Sequence, residues 1–261
     1  MRALSIGATG MLAQQTNVEV ISHNIANVNT TAYQRRRPEF QDLLYQNQRR
    51  VGSPSSDAGT IVPVGVQLGL GVKTAAVYRI AEQGNLALTE NKLDLAINGN
   101  GYFQILLPNG GTAYTRAGSF QLDNAGNIVT ADGFQLQPNI TIPNNVSDIS
   151  INSSGQVLVQ IDGQVATQNL GQIQLARFAN EAGLLAEGDN LYTETPASGA
   201  AITDNPGNVG FGTLQQGFLE TSNVNAVEEI SNLISAQRAY ELNSKVLETA
   251  DQMMAAASNI R

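Results

Sequence analysis

Residues 226–257, AVEEISNLISAQRAYELNSKVLETADQMMAAA, decide the fold at one end of this 261-residue chain. Ala226, Leu233, Tyr240, Leu247 and Met254 recur every seven positions, with Ile230, Ile234 and the small residues Ala236, Ala250 and Ala257 beside them. A heptad of apolar residues with no Pro predicts a long helix with one narrow apolar seam. Asn225 is placed to cap its start, with Glu228 three positions on completing a box-like pair, and Ser222 and Asn223 precede it.

The other end repeats the device. Leu4, Met11, Val18 and Ile25 also fall seven apart, with Ala8, Leu12, Ile21 and Val28 next to them and no Pro between Ala3 and Val28. A helix of that span is about 38 Å long at 1.5 Å per residue. Gly7 and Gly10 each cost about 1 kcal/mol in a helix interior, so they serve close backbone approach or leave the helix weak until a partner arrives. A narrow apolar stripe cannot be buried by a helix alone in water. Two arrangements satisfy both stripes: a helical hairpin within one chain, or pairing between copies. Their position at opposite ends of a chain with a β-patterned middle favours assembly.

Between Leu93 and Phe178 the period changes to short alternating runs. Tyr102 to Leu106, Ile128 to Thr130, Val157 to Ile161 and Ile173 to Phe178 read as strands, separated by turn signals such as Pro108-Asn109-Gly110-Gly111, Asp132-Gly133 and Asp162-Gly163. Residues 49–64 and 196–212 are rich in Gly, Ser, Pro, Asn and Asp and read as extended connectors. The fold class is α+β. Residues 1–32 form an N-terminal helix, 33–70 a connector, 71–200 a β-rich domain, 201–216 a second connector and 217–261 a C-terminal helix. No repeat of solenoid length is present.

Composition narrows the function classes. Charged residues make up only 14% of the chain and aromatics 5%, a weakly charged surface that suits packing against copies of itself because repulsion stays small. Charge is uneven: net +3 over residues 1–50, −8 over 51–216 and −3 over 217–261, so a basic head and an acidic tail attract each other. There is no Cys and a single His, His23, which removes thiolate chemistry, His dyads and multi-His metal sites. Asp123-Asn124-Ala125-Gly126-Asn127 lacks the alternating ligands of a calcium loop, and the Gly-x-x-x-Gly-x-Gly of Gly65 to Gly71 lacks the Lys-Ser/Thr pair of a phosphate loop. Arg35-Arg36-Arg37, with Arg49 and Arg50, precedes or flanks apolar residues and reads as a set of contacts to acidic neighbours, not a nucleic-acid site. The first residues lack the apolar core and cleavage site of a signal peptide, and no apolar run approaches a membrane span. No cofactor is implied.

Two motifs at opposite ends carry a resemblance. Ser22-His23-Asn24-Ile25-Ala26-Asn27-Val28-Asn29-Thr30-Thr31-Ala32-Tyr33 resembles the N-terminal signature of bacterial flagellar rod and hook proteins, matching it at Ser22, Asn24, Asn27, Asn29, Thr30 and Tyr33. It departs at Ala32, where the family usually has Gly, and at Gln34, where it usually has Lys or Arg. Gly217-Phe218-Leu219-Glu220-Thr221-Ser222-Asn223-Val224-Asn225, followed by Gln237-Arg238-Ala239-Tyr240-Glu241, resembles the C-terminal signature, with Glu220, Ser222, Asn223, Asn225, Arg238 and Tyr240 as the matched positions. In the middle, Asp42-Leu43-Leu44-Tyr45-Gln46, Leu95 to Phe103 and Ala113 to Phe120 look like the distal-rod members of that family.

The resemblance implies an inner coiled-coil layer of terminal helices around a channel, with the β domain outside it. It implies a structural, non-enzymatic role in a rigid hollow shaft that transmits torque and passes exported subunits. Implied partners are further copies of the chain, proximal rod proteins, the hook protein, the P-ring and L-ring proteins and the flagellar export apparatus. Nucleic acid and membrane insertion are not implied, and the place implied is the basal body across the periplasm, reached without a cleaved signal peptide. The seam residues Leu4, Met11, Val18, Ile25, Leu233, Tyr240, Leu247 and Met254 are the expected assembly contacts, and the segment after Tyr45 is expected to wedge between neighbouring subunits. A proximal rod or hook subunit, and a secreted β-rich binding module, are the alternative readings.

Overall fold

The computed structural model describes residues 2–52, 64–163 and 166–259. The chain divides into two units: one holds Met1–Ala26, Arg36–Tyr78 and Asn225–Arg261, the other Asn27–Arg35 and Arg79–Val224.

In the first unit the two heptad segments are helices, α1 (Arg2–Ala26) and α2 (Ala226–Asn259). The α2 start is capped as its sequence predicts: Asn225 Oδ1 accepts the N–H groups of Val227 and Glu228 at 3.2 and 3.5 Å. Glu228 and Glu229 in the first turn suit the positive end of the helix dipole. The helices pack on each other in opposite directions, since Gly7 faces Leu247, Gly10 faces Asn243, and Val18 shares a groove with Tyr240. A Cβ on Gly7 would lie 3.0 Å from Leu247 Cδ2, and one on Gly10 3.0 Å from Asn243 Nδ2. Both glycines therefore serve close approach of the helices.

Residues read as a connector carry strands. Arg36–Asp42 pairs with Val72–Arg79, and Tyr45–Arg49 pairs antiparallel with Val66–Gly69. The sequence gives little sign of the second pair because Tyr45–Arg49 is mostly polar and Val66–Gly69, though Val66 and Leu68 alternate, is only four residues long. Residues 53–63, within the extended stretch 49–64, lie outside the described residues.

The second unit is built on a nine-stranded sheet. Across it run Leu185–Gly188, Leu191–Thr193, Thr112–Thr115, Tyr102–Leu106, Gln135–Gln137, Ile128–Val129 and Gln121–Leu122; Leu175–Arg177 pairs with Tyr102–Leu106 and with Ile202–Asp204. A three-stranded sheet of Val146–Ile151, Gln156–Ile161 and Thr167–Gln172 adds to it. The strand Tyr102–Leu106 shows why alternation works here. Phe103 and Ile105 enter the main core with Leu95, Ile97, Phe120 and Val157, while Tyr102 joins a second cluster with Tyr114, Phe178 and Tyr192. Phe103 meets Phe120 edge to face at 5.1 Å, and Tyr114 meets Phe178 at 4.8 Å. The second connector also contains structure, because Ile202–Asp204 forms a sheet strand in the middle of it.

Candidate assembly surfaces

The helix pair buries a mixed set of side chains. Gly7, Ala13, Val20, Ile21 and Asn24 of α1 and Ala236 and Ala250 of α2 are buried. The heptad residues Leu4, Met11, Val18, Ile25, Leu233 and Leu247 are half-buried, and Tyr240 and Met254 remain 43% and 37% exposed. Pairing within the chain thus covers part of each seam and leaves the rest open.

A second set of apolar side chains on the same helices stays largely open. Ile6 and Leu12 on α1, and Val227, Ile230, Ile234, Leu242, Val246 and Met253 on α2, are exposed, with Leu12 at 63% and Val227 at 78%. The outer face of a helix pair in water is ordinarily polar, so these residues make each helix apolar on more than one side. Two grooves border α1. One of about 350 Å³ is lined by Gln15, Val18, Glu19, Gln237, Tyr240 and Glu241. The other, about 430 Å³, is lined by Thr9, Leu12 and Ala13 of α1 and by Leu43, Val72 and Lys73, at the strand pair of Arg36–Asp42 with Val72–Arg79.

The hairpin Tyr45–Arg49 with Val66–Gly69 is a third open surface. Tyr45, Val66 and Leu68 are exposed on it, and Leu44 just before it is 83% exposed. A two-stranded hairpin without a core is marginal in water, so this one is suited to being covered. Asp42 accepts a hydrogen bond from the Tyr45 hydroxyl, and that bond and the carboxylate charge raise the phenol pKa.

The N-terminal motif makes a turn with fixed bonds. Asn24 is buried, and its amide exchanges two 2.9 Å hydrogen bonds with the backbone of Arg36, as a strand neighbour would. Asn27 accepts the Thr30 hydroxyl at 3.0 Å and the Thr30 N–H at 3.1 Å. Tyr33 is buried, while Ser22 and Asn29 are exposed. Ala32 has a left-handed backbone, the region that favours Gly, with φ 55°, and donates its N–H to Glu220 O at 2.8 Å. An Ala in that region is strained by its Cβ, so Ala32→Gly should raise stability by about 0.5–1 kcal/mol after the entropy of the unfolded glycine is set against it. Urea unfolding of the two proteins checks this; a loss of stability would count against strain at this position.

Gln34, the second departure, is buried and accepts a 3.2 Å hydrogen bond from Arg79. A Lys or Arg there would set two cations together. Arg79 also donates to Glu181 O at 2.7 Å and lies 4.0 Å over the Tyr192 ring. The Tyr102 hydroxyl donates to Glu181 at 2.9 Å; burial first, then the Glu181 charge and hydrogen bond, push this phenol far above its usual range.

At the C-terminal motif, Ser222 Oγ accepts the Val224 N–H and Asn225 caps α2, while Arg238 is exposed. Glu220 is buried and forms a 2.6 Å ion pair with buried Arg116, whose other nitrogens donate to Gly101 O and Gly99 O at 3.1 and 2.7 Å. The other Glu220 oxygen accepts the Gly84 N–H at 2.9 Å. Sequence reasoning missed Arg79, Arg116, Tyr102 and Glu181 as polar anchors. The available signal was a charged residue within an otherwise apolar or aromatic strand, as in Tyr114-Thr115-Arg116-Ala117. Of the basic triplet, Arg35 pairs with Glu82 at 3.3 Å, Arg37 is exposed, and the Nε atoms of Arg35 and Arg36 are buried without a hydrogen-bond partner. Among the described residues no group of His, Cys, Asp and Glu is placed to hold a metal, and no helix is long and apolar enough to cross a membrane.

Comparison with known proteins matches three segments of the chain. Residues 4–34 match the flagella basal body rod protein family, residues 96–159 the flagellar hook protein FlgE/F/G D1 domain, and residues 215–260 the flagellar basal body rod FlgEFG protein C-terminal family. The chain is 61% identical over 261 residues to the flagellar basal-body rod protein FlgG of Caulobacter vibrioides, with all of both chains covered. It is 54% identical to the protein of the same name from Agrobacterium fabrum, covering 99% of this chain and 98% of the relative. Against that of Bacillus subtilis it is 41% identical, covering 100% and 99%.

Proposed function

This chain belongs to the flagellar basal-body rod protein family, and from that membership we propose that it is the subunit of the distal rod, polymerising helically into a rigid hollow shaft. It is a structural protein and not an enzyme. The observation that carries the proposal is the second apolar face on helices at both ends of the chain, with Leu12, Val227, Leu242 and Met253 exposed. One helix face is used within the chain and another is left for neighbours, which is what a layer of coiled coils around a channel requires. Contacts between copies that do not close produce a filament, so other components must limit its length.

In this reading the seam residues Leu4, Met11, Val18, Ile25, Leu233, Tyr240, Leu247 and Met254 line the helix layer, and the β-rich unit decorates it. Proximal rod, hook and ring proteins and the export apparatus are the proposed partners, and the shaft crosses the periplasm. Electron microscopy of the purified, concentrated chain tests the proposal: straight hollow tubes are expected. A species that remains monomeric under all polymerising conditions would refute it.

The exposed hairpin favours a specific source of stiffness. Covering Tyr45, Val66 and Leu68 between subunits would wedge neighbours apart from sliding. Deleting residues 49–63 should therefore soften the tube several-fold toward hook-like bending, measured as persistence length in electron micrographs. Unchanged stiffness would remove the hairpin from this role.

A further inference from the structure

The sequence contains three Asn-Gly pairs, Asn98-Gly99, Asn100-Gly101 and Asn109-Gly110, all in the β-rich unit. Such a pair can react with itself. The backbone nitrogen after an Asn can attack the side-chain amide carbon and close a succinimide ring, and a following Gly has no Cβ to hinder the approach. Closure requires the chain to turn at the Asn, so local structure decides which pair reacts.

The first two pairs are held on several sides. Asn98 lies in the strand Leu95–Asn98 opposite Thr213, and the Gly99 N–H donates to Gln83 Oε1 at 3.0 Å. Asn100 O accepts the Gly212 N–H at 2.7 Å. The buried Arg116 guanidinium donates to the carbonyls before and after Asn100, at 2.7 Å to Gly99 O and 3.1 Å to Gly101 O.

The third pair stands at the tip of the hairpin that joins Tyr102–Leu106 to Thr112–Thr115. Pro108, Asn109, Gly110 and Gly111 are all exposed. Gly110 has φ 81°, and a Cβ built on it would meet no atom within 4 Å. A groove of about 310 Å³, lined by Leu107, Pro108, Gly110, Gly133 and Phe134, opens beside the turn. The Gly110 N–H donates to Leu107 O and the Leu107 N–H to Gly111 O, each at 2.9 Å. These bonds must open before the ring closes, and at an exposed turn they open at far lower cost than bonds inside a sheet. The Gly111 N–H donates to Asn109 Oδ1 at 2.9 Å. That bond folds the side chain over its own following backbone and draws electron density from the amide carbon.

We propose that Asn109 is a self-modification site, converted through a succinimide to aspartyl and isoaspartyl forms. Gly110 N bonds to Asn109 Cγ and the Cγ–Nδ2 bond breaks; the Gly110 amide proton leaves with Nδ2 as ammonia. Water then opens the ring. Breaking the bond from Gly110 N to Cγ gives the aspartyl form, and breaking the bond from Gly110 N to the main-chain carbonyl carbon gives the isoaspartyl form. Nothing is oxidised or reduced. The aspartyl form keeps an acceptor for the Gly111 N–H and adds a negative charge to a chain whose formal net charge is −8. The isoaspartyl form adds a methylene to the main chain and so disrupts both backbone bonds of the turn.

Peptide mass spectrometry tests this on the full-length chain incubated folded at mildly alkaline pH. Trypsin, which cuts after Lys92 and Arg116, places all three pairs in one peptide, residues 93–116, so their conversion is compared within the same molecule. Conversion at Asn109 should run at least about tenfold faster than at Asn98 or Asn100, because the two inner pairs must first break sheet or buried bonds. In urea the three rates should converge. Asn109→Gln closes only a larger, slower ring, so conversion at 109 should be lost while positions 98 and 100 behave as in the parent. Folded-state conversion at Asn109 that is absent, or no faster than at the other two, overturns the proposal. An equal lead for Asn109 in urea also overturns it, because the fold would then select nothing.

Discussion

Arg116→Met should destabilise the β-rich unit by about 3–5 kcal/mol, the loss seen when one partner of a buried ion pair is removed and the other charge stays behind. The Arg116 and Glu220 side chains are only 6% and 2% exposed, so water cannot replace the lost cation. The change also strips donors from the carbonyls of Gly99 and Gly101. Each buried acceptor left unpaired adds to the loss. Arg116→Met with Glu220→Leu should recover part of the stability, since the stranded carboxylate is gone. Recovery stays incomplete because the Gly84 N–H then loses its acceptor as well. The chain has no Trp, so urea unfolding followed by circular dichroism is the suitable measurement. A loss below about 1 kcal/mol for the single variant would mean that this pair is solvated, contrary to its burial.

The pair also has a structural reach beyond its own energy. Glu220 O holds the Ala32 N–H, and Phe218–Glu220 pairs with Leu86–Leu88. Loss of Arg116 should therefore loosen the turn that follows α1, visible as faster amide exchange at Ala32.

Leu233→Ala with Leu247→Ala should abolish tube formation. Full burial of a Leu is worth about 1.5–3 kcal/mol, and both residues are half-buried already, so each monomer loses only part of that. In a polymer the loss repeats in every subunit, and a modest change per contact removes the assembled state. Leu247 also packs against Gly7, so the helix pair itself loosens in this variant. Leu242→Ser with Val246→Ser separates the two effects. Both residues are exposed, at 65% and 48%, so the monomer should keep its helix content while polymerisation fails. Intact tubes and normal motility in the Leu233 and Leu247 variant would show that the seam assignment is wrong; intact tubes in the Leu242 and Val246 variant would remove the outer face from assembly.

Local pattern accounts for much of what was legible. Heptads mark both helices because a helix returns every seventh residue to nearly the same face. Strands such as Tyr102–Leu106 are legible because their side chains are large, apolar and bounded by Gly- and Asn-rich turns. Thr167–Gln172 and Tyr45–Arg49 carry mainly polar residues, and their pairing depends on strands elsewhere. The motif residues were legible as a group, but not their separate tasks. Asn24 replaces a strand neighbour of Arg36, Asn27 closes a turn, Asn223 bonds two distant segments and Asn225 caps a helix.

The sequence by itself determined that helices stand at both ends of a β-rich middle, that each bears an apolar stripe too narrow to remain alone, and that neither Cys chemistry nor a multi-His site is available. These properties are written in short-range periodicity and composition. Only the tertiary structure decided which part of each stripe is covered within the chain, that Ala32 keeps a left-handed backbone, and that Arg116 finds Glu220 104 positions away. Such outcomes depend on burial and on partners brought together by folding, and a buried charge or a strained residue looks the same as any other along an unfolded chain.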